Sequence, residues 1–315
     1  MMKHVGLMII VFISFFFYSF SNNNESVINT ENVDLKKDLL FTKYTQKDST
    51  KYNNKLRVYQ WDKIAKYLNM IDSLREEDHD WAVIRNYRNL NGVPPLTDKY
   101  IRNEYGNVAD TLGNERYQGI PMYSIHDTIV PLIYGRDGWP VIIIDTIGNY
   151  IYVNSVHDGN EWLIPKRYLT KSLKMSLNKV IFVDRKNQNI STIEKDSGTW
   201  LVRSMNPATT GLKKPPHMLA TPLGVYVIQE KKEKMQFLKD GTKDIAGYSP
   251  YASRFTRGGY IHGVPVNLPA TEMKEWSYSL GTTPRSHMCV RNATSHAKFV
   301  YNWAKTWDTW VIVIE

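Results

Sequence analysis

The chain has 315 residues, 42% of them hydrophobic, and 40 Lys and Arg against 31 Asp and Glu give it a net charge of +9. This is an ordinary globular composition with enough chain for two or three domains. Cys289 is the only cysteine, which excludes an intrachain disulfide, and the spread of the basic excess points to an anionic surface such as a cell-wall polymer or lipid headgroups.

The N-terminal stretch "MMKHVGLMIIVFISFFFYSFS" has a basic Lys3, an apolar run from Val5 to Phe17, and small residues at Ser19 and Ser21. The run is short for a membrane span, and the pattern predicts a signal peptide over 1–21, with an uncleaved anchor as the alternative. No cysteine follows it, so a bacterial lipoprotein anchor is excluded, and no later segment reaches spanning length. The expected location is therefore outside the cytoplasm, in the periplasm or cell envelope, with no stable membrane span after cleavage. Export also argues against a nucleic-acid partner.

Residues 22–55 are rich in Asn, Lys, Asp and Thr and read as a flexible tether. A helical segment is expected over 56–116. Val58, Trp61, Ile64, Leu68, Ile71 and Leu74 recur at three- and four-residue steps as one amphipathic helix, which "REEDHD" closes. "WAVIRNYRNL" reads as a second helix, ending at Gly92 and Pro94-Pro95.

From 117 to 172 the texture changes to short β-branched and aromatic runs. Turn signals at Gly135–Gly138, Gly148-Asn149 and Asp158–Asn160 separate them. The pattern is similar to bacterial SH3-like barrels, which bind peptidoglycan, pack on a catalytic domain or serve as spacers. A second β-rich unit begins at Lys179. Val180, Phe182, Ile190 and Ile193 read as a hairpin, "TPLGVYVI" as a strand and the terminal "TWVIVIE" as a closing strand. "SHAKFVYNWAKTW" is the one helical pattern there.

The chemistry centres on "SHMCVRN", residues 286–292. A nucleophilic cysteine works as thiolate and needs a base, a positive charge or a helix N-terminus beside it. On an extended segment His287, Cys289 and Arg291 project to one face, and a helical stretch follows. "GGYIHGVPV" adds His262 beside a glycine. The competing reading is structural: a lone buried cysteine and satisfied core histidines.

Taken together, residues 179–315 resemble the L,D-transpeptidase catalytic domain family. The resemblance rests on "TPLGVYVI" (Thr221, Pro222, Gly224), "YIHGVP" (Ile261, His262, Gly263), "SHMCVRN" (Ser286, His287, Cys289, Arg291) and "DTWVIVIE", in the family's order. "VDRKNQNI" and "MNPATTG" resemble its opening strands. The resemblance implies a mainly β chain whose C-terminal part is a β-sandwich. It makes Cys289 the nucleophile, His262 the general base and the Gly263 carbonyl the group that orients the imidazole. Ser286, His287, Arg291 and Tyr260 take substrate-binding positions, with Arg291 suited to a carboxylate. Backbone N–H groups around Cys289 form the oxyanion hole. The partners implied are donor and acceptor peptidoglycan stem peptides, with no cofactor and no metal.

Two departures stand out. Met288 occupies the position where the family usually has glycine. The stretch from His262 to Ser286 is also long, and its "NLPATEMKEWSYSLGTTPR" reads as a flap in which Trp276, Tyr278 and Arg285 could meet glycan or stem, or as a packed surface loop. A papain-like order is excluded because His262 and His287 precede Cys289, and a sortase-like order because Arg291 follows too closely. The acceptor stays open among an amine, water and a lipoprotein lysine, and so does a non-catalytic wall-binding role.

Overall fold

The computed structural model describes residues 27–28 and 33–315. The expected signal peptide, 1–21, lies outside the described residues. Strands dominate, with two α-helices among the described residues, α1 (Trp61–Arg75) and α2 (Thr294–Trp303).

The largest sheet has seven strands in the order Val27–Ile28, Leu35–Lys37, Thr199–Pro207, Asn189–Asp196, Lys179–Asp184, Trp310–Ile314, Gly224–Val227. Its central pair, Lys179–Asp184 and Trp310–Ile314, runs parallel with Val180 opposite Trp310. Both are nearly continuous apolar runs because both faces of the sheet are covered. Val180, Phe182, Trp310 and Ile312 share one core with Ile64, Ala65, Leu68 and Ile71 of α1. Ile181, Val183, Val311 and Val313, one residue out of phase, share a second core with Phe255, Ile261 and Val290 of another sheet. Strand alternation thus divides one apolar run between two cores.

That second sheet runs Glu230–Leu238, Ile245–Thr256, Gly259–His262, Val290–Arg291. The two sheets form the β-sandwich expected of residues 179–315.

Between 81 and 165 a four-stranded antiparallel sheet runs Glu161–Pro165, Tyr150–Ser155, Pro140–Ile147, Trp81–Val83. A separate hairpin, Gly119–Met122 with Ile133–Arg136, joins it through a bridge between Tyr123 and Leu163. The strands expected of a small barrel in 117–172 therefore recruit a partner from outside that segment. Ala82, Val141, Val153 and Ile164 enter the same core as Ile181 and Ile261, so this upstream unit is packed onto the sandwich.

Two expectations need correction. "WAVIRNYRNL" is not a helix: Trp81–Val83 is a fully buried strand, followed by a single 3-10 turn at Tyr87–Asn89. Trp81 and Val83 face one core while Ala82 and Ile84 face the other, and Arg88 and Asn89 take positive φ (53° and 54°) that no helix accommodates. Within the presumed tether, residues 33–55 are not free. Leu35–Lys37 adds a parallel strand beside Thr199–Pro207, Leu35 is completely buried, and Ser49–Tyr52 pairs with Lys55–Val58. Two apolar side chains, Val33 and Leu35, dock a segment that is polar on average.

Candidate active site

Gly259–His262 pairs in parallel with Val290–Arg291, with Ile261 opposite Val290 and His262 opposite Arg291. Paired residues of a ladder project to the same face, and alternate residues along a strand do likewise. Ile261 and Val290 go to the sandwich core, so Tyr260, His262, Cys289 and Arg291 share the opposite face. All four line an open cleft of about 1530 Å³, with Ser286 and His287 on the same wall. The two motifs that stood 27 residues apart are thus joined by one strand pairing.

His262 is 3% exposed, and its Nδ1 lies 2.6 Å from the Gly263 carbonyl oxygen. A carbonyl only accepts, so Nδ1 carries the proton and the Nε2 lone pair is the free basic position. Burial lowers the imidazole pKa to about 4, the Gly263 bond opposes this, and the nearby Arg291 charge adds to it. The ring is therefore neutral near pH 7. Gly263 admits no side chain: a Cβ there would sit 2.7 Å from Thr294 Oγ1 and 2.9 Å from Pro250 Cγ.

Cys289 is half-buried, and its thiol donates to the Gly258 carbonyl at 3.4 Å. Desolvation pushes the thiol pKa up, while the Tyr260 backbone N–H and the Arg291 charge pull it down. Near pH 7 both groups are therefore neutral, a thiol and an imidazole lining the same cleft. Arg291 pairs with no carboxylate among the described residues, and its buried Nε has no partner. Desolvation lowers its pKa, with Cys289 opposing.

The remaining expected residues differ in what they offer. Tyr260 is buried and its hydroxyl donates to Glu230 at 3.1 Å. Its pKa is raised, first by burial and then by Tyr87 and Glu230. Ser286 is 1% exposed and gives its hydroxyl hydrogen to the Cys289 carbonyl, so it ties the loop together. His287 is exposed, with Nε2 3.0 Å from the Asp240 carboxylate. Trp276 and Tyr278 line the cleft rim, and Trp276 packs on Tyr44 at 4.4 Å between ring centres. Arg285 is not among the lining residues and contacts Thr283. His296 lies outside the cleft. It is fully buried between Asn292 Oδ1 (3.1 Å) and Ser204 Oγ (2.9 Å), and burial lowers its pKa to about 3.

Met288 takes φ 154°, in the range that favours glycine, and is 7% exposed. Its carbonyl accepts the Thr221 hydroxyl at 2.7 Å, and the Thr221 hydroxyl oxygen in turn accepts the Gly211 N–H at 2.8 Å. A Cβ at Gly211 would lie 2.3 Å from the Leu219 carbonyl and 2.8 Å from Met288 Cα. Thr221 of "TPLG" and Gly211 of "MNPATTG" therefore support the loop that carries Cys289. Their motifs were visible in the sequence, but not this duty.

Sequence reading missed Tyr87 and Arg88, which reach the cleft from the upstream unit; the basic excess visible in the sequence contributes Lys232, Lys234 and Lys274 to the cleft lining. Among the described residues, no group of three or more His, Cys, Asp or Glu side chains is placed to hold a metal ion.

This sandwich, with its thiol and imidazole on neighbouring strands, is an L,D-transpeptidase-type catalytic domain. Residues 178–313 match the sequence model of that family, the L,D-transpeptidase catalytic domain YkuD. No curated protein matches the chain. Similar solved structures include a fused Zn-dependent amidase/peptidase/peptidoglycan-binding protein from Clostridium acetobutylicum, 18% identical over 44% of this chain and 52% of that one, TM-score 0.32. An L,D-transpeptidase from Stackebrandtia nassauensis is 22% identical over 44% and 56%, TM-score 0.31. One from Mycobacterium smegmatis is 18% identical over 56% and 82%, TM-score 0.36. The chain spans only about half the length of the first two. The family match carries the assignment, and these partial likenesses do not add to it.

Proposed function

We propose that the chain is an exported peptidoglycan L,D-transpeptidase acting through Cys289. His262 Nε2 takes the thiol proton, and the sulfur attacks the carbonyl of the L-centre at the third residue of a tetrapeptide stem. The oxyanion that forms is stabilised by backbone N–H groups around Cys289. Collapse breaks the bond to D-Ala, whose amine takes the proton from the imidazolium, and leaves a thioester. A side-chain amine of a second stem then attacks the thioester. Its proton passes to His262 and on to the departing sulfur, which gives a 3→3 cross-link and restores the resting pair.

The observation that carries this reading is the shared cleft face: a thiol, a buried neutral imidazole with its Nδ1 proton fixed by Gly263, and an Arg291 guanidinium without a carboxylate partner among the described residues. Arg291 is offered to a stem carboxylate, and the lysines around the cleft favour the same anionic substrate. The upstream unit serves as an SH3-like accessory module in this proposal. Hydrolysis to an L,D-carboxypeptidase product, or transfer to a lipoprotein lysine, uses the same acyl-enzyme and differs only in acceptor.

Purified protein incubated with disaccharide tetrapeptide tests the reading. A thioester adduct by intact mass, D-Ala release and cross-linked dimers are expected, all lost in Cys289→Ser. One second reading, a non-catalytic peptidoglycan-binding protein that keeps the fold, is favoured by the presence of Met288 where the family usually has glycine. Wild type with no adduct, indistinguishable from Cys289→Ala, would establish it.

A further inference from the structure

The upstream unit meets the catalytic sandwich at one buried carboxylate. Asp137 is 0% exposed and lies in the turn between Ile133–Arg136 and Pro140–Ile147. Its Oδ2 accepts from three groups of the sandwich: Arg254 Nη1 at 2.8 Å, the Arg257 backbone N–H at 2.8 Å and the Gln229 side-chain amide at 3.1 Å. Its Oδ1 accepts the Asn86 N–H at 2.8 Å, and its own carbonyl accepts the Thr256 hydroxyl at 2.6 Å. Beside it Gly138 takes φ 97°, and a Cβ there would fall 2.0 Å from the Phe255 carbonyl, so the two backbones touch.

These contacts converge on the turn that links Ile245–Thr256 to Gly259–His262. Arg257 at its tip has φ 35°, a strained value for a residue with a side chain. Hairpin tips ordinarily end in solvent, yet here both the N–H and the guanidinium of Arg257 are held. The guanidinium pairs with the buried Glu115 of the upstream unit at 2.6 Å. Burial works against the Glu115 charge, but Arg257 and the Asn103 and Asn107 hydrogen bonds outweigh it and hold its pKa below the ordinary carboxylate value. The next residue, Gly258, is the one whose carbonyl receives the Cys289 thiol.

We propose that the upstream unit is a working part of the catalytic site, with Asp137 and Glu115 as positioning residues that clamp the Arg257–Gly258 turn and so fix the carbonyl facing the Cys289 thiol. The same docking sets Tyr87, under the Arg254 guanidinium at 4.6 Å, and Arg88 in the cleft wall. The proposal rests on Cys289 being the nucleophile. The titratable groups that line the cleft beside that thiol are His262 and Tyr260 on the neighbouring strand and Arg291 on its own, and the Tyr260 backbone N–H and the Arg291 charge act on it directly.

The test uses the full chain with Asp137→Asn and Glu115→Gln. Asparagine keeps the shape and the Asn86 bond but confronts the Arg254, Arg257 and Gln229 donors with less charge and one more donor. Three quantities are read: thermal unfolding, the pH dependence of Cys289 alkylation by iodoacetamide, and kcat and KM for D-Ala release. Displacing the turn by about 1 Å should lower kcat by about 10- to 100-fold with KM little changed. Freed from the carbonyl dipole, which favours the protonated thiol, Cys289 should be alkylated faster at neutral pH even as turnover falls. Glu115→Gln should show the same pair of effects, smaller, and carries the test if Asp137→Asn does not fold. Folded variants with wild-type turnover and an unchanged alkylation curve would overturn the proposal. So would a loss of turnover that only follows the fraction unfolded. If wild type releases no D-Ala yet the variants displace the alkylation curve, the clamp stands and the catalytic reading falls.

Discussion

Two buried histidines make stability fall on mild acidification. His262 and His296 have ordinary values of 6.5, lowered by burial to about 4 and about 3 in the folded chain. The unfolded chain therefore takes up these protons first. Their contribution is complete above pH 6.5 and is lost as pH falls from there toward the folded values. Between about pH 8 and about pH 5 each histidine removes about 2 kcal/mol, so the two together remove about 4 kcal/mol. His157, lowered mainly by burial, acts with the same sign. Glu115 and Glu275, also lowered on balance, act at lower pH, near and below the ordinary carboxylate range. Urea unfolding at the two pH values, for wild type and His296→Gln, measures the histidine part. Glutamine offers hydrogen bonds but takes no proton, so the variant should lose about 2 kcal/mol less than wild type over the interval. Equal losses for the two proteins, or wild-type stability that rises toward pH 5, would refute the reasoning. The same desolvation that creates this acid sensitivity keeps the His262 imidazole neutral at working pH.

Three further outcomes concern the site. His262→Ala should lower D-Ala release by about 10²- to 10⁴-fold, the usual worth of a general base, while the thiol remains open to alkylation. Arg291→Lys keeps a charge but not the planar fork, so KM for stems bearing a free carboxylate should rise about tenfold with a smaller change in kcat, as measured by steady-state kinetics. Met288→Gly releases about 1–3 kcal/mol of backbone strain but gives up about 1.5–3 kcal/mol of buried side chain. Stability by urea unfolding should therefore stay within about 2 kcal/mol of wild type, with turnover equal or higher; a clear fall in turnover at equal stability would contradict the strain argument.

Much of the sandwich was legible because its signals are local or ordered along the chain. "TWVIVIE" alternates between two cores, and the three- and four-residue steps from Trp61 to Leu74 made α1 visible. The cysteine and histidine motifs carried the site, although only the parallel pairing of Ile261 with Val290 shows why they meet. The failures share one cause. "WAVI" is too short for periodicity to separate strand from helix, and its four buried residues belong to two cores supplied by distant strands. Leu35 acquires its meaning only from Trp200, its partner across a parallel ladder. Asp137 reads as a turn residue in "YGRDG", and nothing local says that the turn will be buried against another hairpin.

Met288 shows what the surroundings must supply when a local rule is broken. The residue stands where the family usually has glycine and keeps a glycine-like φ of 154°, so the backbone path has been retained without the residue that makes it easy. Two contacts hold it there. The Thr221 hydroxyl binds its carbonyl at 2.7 Å, and its thioether packs where a Cβ on Gly259 would come within 3.3 Å of the sulfur. Gly259, without a side chain, leaves the room for the Met288 thioether that a glycine at 288 would not have needed. A loop drifting out of use would relax to an ordinary φ rather than keep an unfavourable one held by neighbours from separate segments of the chain. The strain is therefore consistent with a nucleophile loop still held to a required geometry.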